Sequence, residues 1–88
     1  MKIQRLDKKM TGRRIKELRL AAGLSVNDLV QRIDLITPQA VYKWESGRVN
    51  PGIENLVLLS EVLKVPIDDI IVKRSTGDEE QDDLRISA

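Results

Sequence analysis

The stretch TPQAVYKWESG, residues 37–47, contains both aromatic residues of this 88-residue chain, Tyr42 and Trp44. Thr37 followed by Pro38 is typical of a helix start, because Thr can cap free backbone N–H groups and Pro suits the first helical position. Two positions along a helix correspond to about 200° of rotation, so the two aromatic rings point in nearly opposite directions. We therefore predict that Trp44 is buried in the core and that Tyr42 is exposed.

The predicted helix has two chemically different faces. Ala40, Val41 and Trp44 share the apolar face, which we expect to pack against the preceding helices. The residues of the opposite face are Gln39, Tyr42, Lys43 and Ser46. Their amide, phenol and ammonium groups can hydrogen-bond with base edges or phosphates in the major groove of DNA, and no acidic residue interrupts them. The alternative for Tyr42 is an ordinary surface tyrosine without a partner.

Turn signals divide the chain into five short helical segments, and the period-two alternation of strands is absent. We predict an all-α fold, a compact five-helix bundle whose second and third helices form a helix-turn-helix, because only a few residues join them. Residues 1–10 are predicted to form an N-terminal extension and residues 11–72 the domain. Residues 73–88 form an acidic tail that we expect to be disordered.

Capping residues predict where the first two helices begin. Thr11 is expected to cap the first helix, with Met10 and Ile15 at the spacing of a hydrophobic staple. Ser25 is expected to cap the second helix, and Asp28 stands three residues later, as in a capping box.

The fourth helix is predicted over residues 53–63 and the fifth from residue 67 to about residue 72, after Pro66. Ile53 and Ser60 are expected to face the core. Apolar residues on the other side would then form a candidate dimer face, and these residues are Leu58, Val62, Ile71 and Val72. The alternative is that the fifth helix or the N-terminal segment covers this patch.

The composition excludes several classes of function. The chain has no Cys and no His, so thiol nucleophiles, imidazole bases and the usual zinc ligands are missing. A bundle of this size also has little room for a deep pocket. We therefore expect no enzymatic activity, no metal and no cofactor. The longest apolar run is far shorter than a membrane span, so we expect a soluble cytoplasmic protein.

Charge is distributed unevenly along the chain. Residues 1–50 contain 11 Lys and Arg against 5 Asp and Glu, whereas residues 51–88 contain 4 against 9. The basic first half indicates a polyanionic partner such as double-stranded DNA, and the alternative is a solvated charged surface. The acids of the tail either compete with DNA for this basic half or only solvate the segment, and they are Asp78, Glu79, Glu80, Asp82 and Asp83.

Three segments resemble one known family when taken in order: RRIKELRLAAGLSVNDLV (13–30), AVYKWESGRVNP (40–51) and IENLVLLSEVLKVPIDDII (53–71). They are similar to the Xre/Cro-type helix-turn-helix DNA-binding domains of phage repressors and bacterial regulators. The resemblance covers residues 11–72 and implies a lambda-repressor-like bundle in a small transcriptional regulator, expected to be a repressor that reads the major groove with helix 37–46. A homodimer would place two recognition helices about one DNA turn, roughly 34 Å, apart. The alternative is an antitoxin or adaptor that uses the same fold to bind a protein through the acidic tail or the apolar patch.

The resemblance also implies roles for individual residues. The base-reading positions would be Thr37, Gln39 and Lys43, followed by Tyr42. The phosphate-binding positions would be Ser25, Val26, Arg48 and Asn50, with Arg13, Arg14 and Lys16 extending them. Arg19 and Glu45 match a structural ion pair of the family. Val26 and Pro38 depart from the polar residues that relatives often have at these positions, and the turn is one residue longer.

Overall fold

The computed structural model describes residues 5–34 and 36–74. It contains α1 (Lys8–Ala21), α2 (Val26–Arg32), α3 (Pro38–Glu45), α4 (Ile53–Leu63) and α5 (Ile67–Ile70). The predicted all-α class with five helices is confirmed. Leu35 in the predicted turn, Ile3 in the predicted extension and the acidic tail from residue 75 lie outside the described residues. Over the described ranges, no helix has both the length and the apolar character that a bilayer span requires.

All five helices contribute to one apolar core, together with Leu24 from the α1–α2 connection. Its members are Ile15, Leu24, Leu29, Ile33, Val41, Trp44, Leu56, Leu59, Leu63 and Ile70. Trp44 is 4% exposed and Tyr42 is 58% exposed, so the prediction that these two rings point in opposite directions is confirmed.

The predicted start of α2 and both ends of α3 are confirmed. Ser25 caps α2 and forms the predicted capping box with Asp28. Thr37 caps α3, and its hydroxyl accepts the N–H of Ala40 at 3.2 Å. Gly47 ends α3 at φ +83°, where the N–H of Arg48 reaches back to the carbonyl of Lys43. A left-handed residue of this kind directs the chain away from the helix, so Arg48 leaves α3 in a defined direction.

The predicted start of α1 is wrong. Asp7 caps this helix by accepting the N–H of Met10 at 3.0 Å, so α1 begins three residues before Thr11. Thr11 therefore lies inside α1, where it is fully buried, and Met10 belongs to the same helix and is exposed. A carboxylate satisfies the N–H groups of a first turn as well as a hydroxyl does, which explains why Asp7 can cap.

Residues 5–7 pair with residues 72–74, and this arrangement is called the terminal clasp below. Leu6 and Lys73 form an antiparallel bridge, and the N–H of Arg74 donates to the carbonyl of Arg5 at 2.7 Å. The hydroxyl of Thr11 accepts the N–H of Val72 at 2.9 Å. Because residues 71–74 are extended to make these bonds, α5 ends at Ile70 and not near residue 72 as predicted.

The predicted orientation of Ile53 is also wrong. Leu56, Leu59 and Leu63 form the buried side of α4, whereas Ile53 is 70% exposed. Side chains on a helix tilt toward its N-terminus, so a residue in the first turn points away from the packed part of the bundle. Ser60 is half-buried, and its hydroxyl donates to the carbonyl of Val65 at 2.6 Å.

Candidate DNA-binding surface

Five residues from α3 and its following loop line one shallow groove, called the recognition groove below. These residues are Gln39, Tyr42, Lys43, Ser46 and Arg48. All five are exposed, and no carboxylate lines the groove. The structure thus brings together the polar face predicted from the sequence and adds Arg48 to it.

The chemistry of the recognition groove suits a DNA duplex. The amide of Gln39 can donate and accept together, as the edge of adenine requires, and the ammonium of Lys43 can donate to the acceptors of guanine. The guanidinium of Arg48 suits a phosphate, since it presents several N–H donors to anionic oxygens. The groove can therefore combine base contacts with backbone contacts.

A second groove adjoins the first along Tyr42 and Ser46, and it also contains Lys16 from α1. Lys16 is exposed. One of the cations predicted to extend the DNA contact is therefore positioned beside the recognition groove, although it lies on a different helix. Tyr42 and Ser46 separate the two grooves.

Arg19 and Glu45 form an ion pair in the second groove, beside the recognition groove. The Nε of Arg19 donates to one carboxylate oxygen of Glu45 at 2.7 Å and its Nη2 to the other at 3.1 Å, and the two side chains are each 8% exposed. The Nη1 of Arg19 donates to the carbonyl of Leu24 at 2.9 Å. The hydrogen bond with Glu45 holds the pKa of Arg19 above its ordinary value, against the opposing effect of burial. The pair fixes the end of α3 to α1.

Thr37 lies at the N-terminus of α3, where its hydroxyl oxygen serves as the helix cap. Accepting one hydrogen bond leaves the hydroxyl hydrogen for donation to a phosphate or a base. Thr37 is exposed, so capping and DNA contact are compatible at this residue.

The N-terminus of α2 suits a phosphate less well than the sequence predicts. The N–H of Ser25 donates to the carboxylate of Asp28 at 2.9 Å, so this backbone donor is already used. The backbone and side-chain hydrogen bonds from Ser25 hold the pKa of Asp28 below its ordinary value of 3.8, so the carboxylate is charged at neutral pH. That charge repels a phosphate. The groups that can still donate here are the N–H of Val26 and the hydroxyl of Ser25.

The other predicted phosphate-binding residues differ in position. Arg13 is exposed on α1. Arg14 is held at α5, because its Nε donates to the carbonyl of Asp69 at 2.6 Å, and it does not line the recognition groove. The Oδ1 of Asn50 is enclosed and has no hydrogen-bond partner among the described residues. Since phosphate oxygens only accept hydrogen bonds, the amide nitrogen is the end of the Asn50 side chain that suits a phosphate.

Lys9, a cation that was not among the predicted contacts, lies against the loop that carries Arg48, and Lys8 precedes it in the first turn of α1. A Cβ placed on Gly47 would lie 2.9 Å from the Cα of Lys9, so the start of α1 packs against the residue that precedes Arg48. Both lysines are exposed. Identifying Asp7 as the cap would have put both lysines in the first turn of α1, but the contact of Lys9 with Gly47 follows from tertiary packing.

The residues of the candidate dimer face do not share one environment. Leu58 is 37% exposed, whereas Val62 and Ile71 pack against the core and Val72 is bound in the terminal clasp. The exposed apolar side chains of α4 are Ile53, Val57 and Leu58. An apolar surface is therefore present on α4, and it lies nearer the start of this helix than predicted.

The bundle and the recognition groove together define a DNA-binding protein of the helix-turn-helix class. Within the described part of the chain, no group of three or more carboxylates forms a candidate metal site. The helix-turn-helix family model matches residues 15–70, more than half of the chain. The chain belongs to this family, the Xre/Cro-type helix-turn-helix proteins of transcription regulation.

Two known proteins are similar to this chain. MJ1164 of Methanocaldococcus jannaschii, provisionally named as an HTH-type transcriptional regulatory protein, is 34% identical over 59 residues. These residues are 67% of this chain and 18% of that protein, so the chain spans less than a fifth of the length of this relative. The crystal structure of the restriction-modification controller protein C.AhdI from Aeromonas hydrophila matches with a TM-score of 0.66 and 28% identity, over 73% of this chain and 96% of that one.

Proposed function

We propose that this protein is a sequence-specific, double-stranded-DNA-binding repressor of transcription that acts in the cytoplasm and has no catalytic activity. The observation that carries the proposal is the recognition groove, in which Gln39, Lys43 and Arg48 are exposed together without an acidic neighbour in the lining. Glu45, the acid closest in sequence, is turned inward to Arg19. The similarity to a controller protein supports a role in gene control.

In the proposed complex, α3 lies in the major groove. Gln39 and Lys43 contact base edges there, Thr37 contacts the duplex from the helix start, and Tyr42 contacts the neighbouring step. Arg48 and Lys16 flank α3 and hold phosphates on either side of it. Base contacts supply the sequence preference, and the phosphate contacts supply most of the salt-dependent affinity.

The test is selection from a randomised duplex library at about 0.15 M salt, followed by sequencing of the retained DNA. A defined site should be enriched. Gln39→Ala and Lys43→Ala should each relax the preference at one or two base pairs, at a cost of about 1–3 kcal/mol per lost contact. Arg48→Ala should weaken binding to all sequences alike and make it less sensitive to salt. Lys64→Ala, at the far end of α4, is the control and should bind as the parent does.

Binding without enrichment that disappears as salt rises would contradict a sequence-specific regulator. The second candidate function, an antitoxin or adaptor that binds a protein, would then be favoured by the apolar side chains exposed on α4.

We also propose a homodimer formed through Ile53, Val57 and Leu58, because exposed apolar residues on one helix favour a self-complementary contact. The selected DNA site should then be an inverted repeat with half-sites about 34 Å apart. Val57→Glu should shift sedimentation equilibrium toward the monomer, whereas Glu61→Gln on the same helix should not. A monomeric parent protein at micromolar concentration would contradict this part of the proposal.

A further inference from the structure

A cluster of cations lies where the start of α1 meets the loop after α3. Lys9 packs on Gly47, and Gly47 directly precedes Arg48. Lys8 adjoins Lys9 in the first turn of α1, and Arg5 lies three positions before Lys8, with its carbonyl bonded to the N–H of Arg74 in the terminal clasp. The four cations, called the basic cluster below, are all exposed, and they are Arg5, Lys8, Lys9 and Arg48. The carboxylate within the cluster, Asp7, is occupied as the cap of α1 through the N–H of Met10.

The terminal clasp also positions Arg74, the last described residue before the acidic tail. The N–H of Arg74 is bonded to the carbonyl of Arg5, so Arg74 lies beside the first residue of the basic cluster. Residues 78–83 have the sequence DEEQDD, which contains five carboxylates and no cation. They follow Arg74 by four to nine positions, and an extended chain spans about 3.3–3.6 Å per residue, so they can reach as far as about 13–32 Å from it. Lys8 and Lys9 are three and four positions from Arg5, which is within that reach.

We propose that the acidic segment 78–83 binds the basic cluster and competes there with DNA phosphates. This inference rests on the proposed DNA-binding function for its consequence, but the contact itself can be measured without DNA. A carboxylate-rich segment presents the cluster with the same kind of oxygen acceptors as a phosphate backbone. Because the segment is tethered within a few residues of the cluster, its local concentration is high and no additional chain is needed.

Competition of this kind would favour cognate over random DNA. Random DNA is held almost entirely by phosphate contacts. When the tail occupies Lys8, Lys9 and Arg48, the binding of random DNA is therefore weakened more than the binding of a cognate site. A cognate site retains the base contacts of Gln39 and Lys43, which are not part of the basic cluster. The tail would therefore increase the ratio of specific to non-specific affinity at low salt.

The contact is tested first without DNA. Amide NMR spectra of the full chain are compared with those of a variant whose acids are neutralised, D78N/E79Q/E80Q/D82N/D83N. At about 0.05 M salt, differences should be concentrated at Lys9, Gly47 and Arg48, and they should disappear at about 0.5 M salt because charges are then screened over a few ångströms. Identical spectra for these residues at low salt would overturn the proposal, whatever the outcome of the DNA experiments.

The competition is tested with random-sequence duplex DNA at about 0.05 M salt. Neutralising the five acids should tighten binding by about fivefold, and the gain should be lost as salt rises. In a Lys8→Gln/Lys9→Gln background the same neutralisation should give little gain, because the two changes remove the same contact. In a Lys64→Gln background the gain should be retained. Equal gains in both backgrounds would mean a general effect of net charge and would overturn binding at the basic cluster.

Discussion

At the scale of single residues, Arg19 and Glu45 show how an ion pair beside the recognition groove can hold the DNA-binding helix in position. Arg19 uses three nitrogens, two of them on Glu45 and one on the carbonyl of Leu24. Glu45 is the last residue of α3 and directly precedes Ser46 in the recognition groove. The ion pair therefore fixes the end of α3 relative to α1.

Glu45→Ala should destabilise the protein by about 3–5 kcal/mol, because it leaves the buried guanidinium of Arg19 without its counter-charge. The measurement is urea-induced unfolding followed by circular dichroism. Glu61→Ala, which removes an exposed carboxylate from α4, is the control and should change stability by less than about 0.5 kcal/mol. If both variants unfold at the same urea concentration, the pair has no net structural role.

At the scale of helices, the caps explain where the helices begin, and the contact at Gly12 explains how closely α1 packs on α3. Asp28 satisfies the first N–H groups of α2 together with Ser25, and its pKa is lowered because the folded protein binds its charged form. A group whose pKa is lowered by folding stabilises the folded protein at pH values above its ordinary pKa. This contribution is lost as the pH falls through the pKa of the group in the folded protein.

The stability contributed by Asp28 should therefore be complete near neutral pH and should decline below about pH 4. This contribution is measured by comparing the urea unfolding of the parent and of Asp28→Asn between pH 7 and pH 3. The difference in the free energy of unfolding should be largest at pH 7 and should shrink toward pH 3. Glu17→Gln, which removes an exposed carboxylate from α1, is the control. A constant difference for Asp28→Asn would contradict the assigned cap.

The same variant should bind DNA more tightly if a phosphate docks at the start of α2.

Gly12 is the point of closest approach between α1 and α3. A Cβ at this position would clash with the carbonyl oxygen of Trp44 and would lie 3.0 Å from that of Glu45. Backbone atoms cannot move aside as a flexible side chain can. A residue larger than glycine would push α3 away from α1.

Gly12→Ala should thus destabilise the protein by about 1–3 kcal/mol in the same unfolding experiment, although alanine is the better helix former by about 1 kcal/mol. Arg13→Ala, the adjacent exposed position of α1, should be nearly neutral. A Gly12→Ala variant as stable as the parent would show that the two helices separate without loss.

At the scale of the whole molecule, the terminal clasp joins the two ends of the described chain. The hydroxyl of Thr11 accepts the N–H of Val72 and donates to its carbonyl at 3.4 Å. The N–H of Asp7 donates to that carbonyl at 2.7 Å. The clasp thus connects the first turn of α1, which contacts Gly47, with the segment that follows α5.

Thr11→Val keeps the shape of the side chain but removes the hydroxyl, so the N–H of Val72 loses its partner. We expect a loss of about 1–3 kcal/mol and faster hydrogen exchange at the amides of Val72 and Asp7 than in the parent. Thr11→Ser retains the hydroxyl and should protect these amides better than Thr11→Val does. Equal exchange in the two variants would exclude the hydroxyl as the bond that closes the clasp.

The starts of α2 and α3, the end of α3 and the opposite orientations of Tyr42 and Trp44 were predicted correctly from the sequence. These features depend on neighbours within about four positions: a cap acts on the next turn, and a helix rotates by a constant angle per residue. The polar face of α3 was predictable for the same reason. The acidic tail remains a prediction, since it lies outside the described residues.

The errors concern residues whose partners are distant in sequence. Thr11 has the chemistry of a cap, but its hydroxyl bonds to Val72, 61 positions away. The fifth helix ends early because residues 72–74 pair with residues 5–7, and Lys9 lies beside Gly47 because α1 packs on that glycine. By itself the sequence determined the number and order of the helices and the polar face of α3, because local hydrogen bonding and periodicity specify them. Only the tertiary structure decided which cations lie beside that face and how the chain ends are joined, because long-range packing brings those groups together.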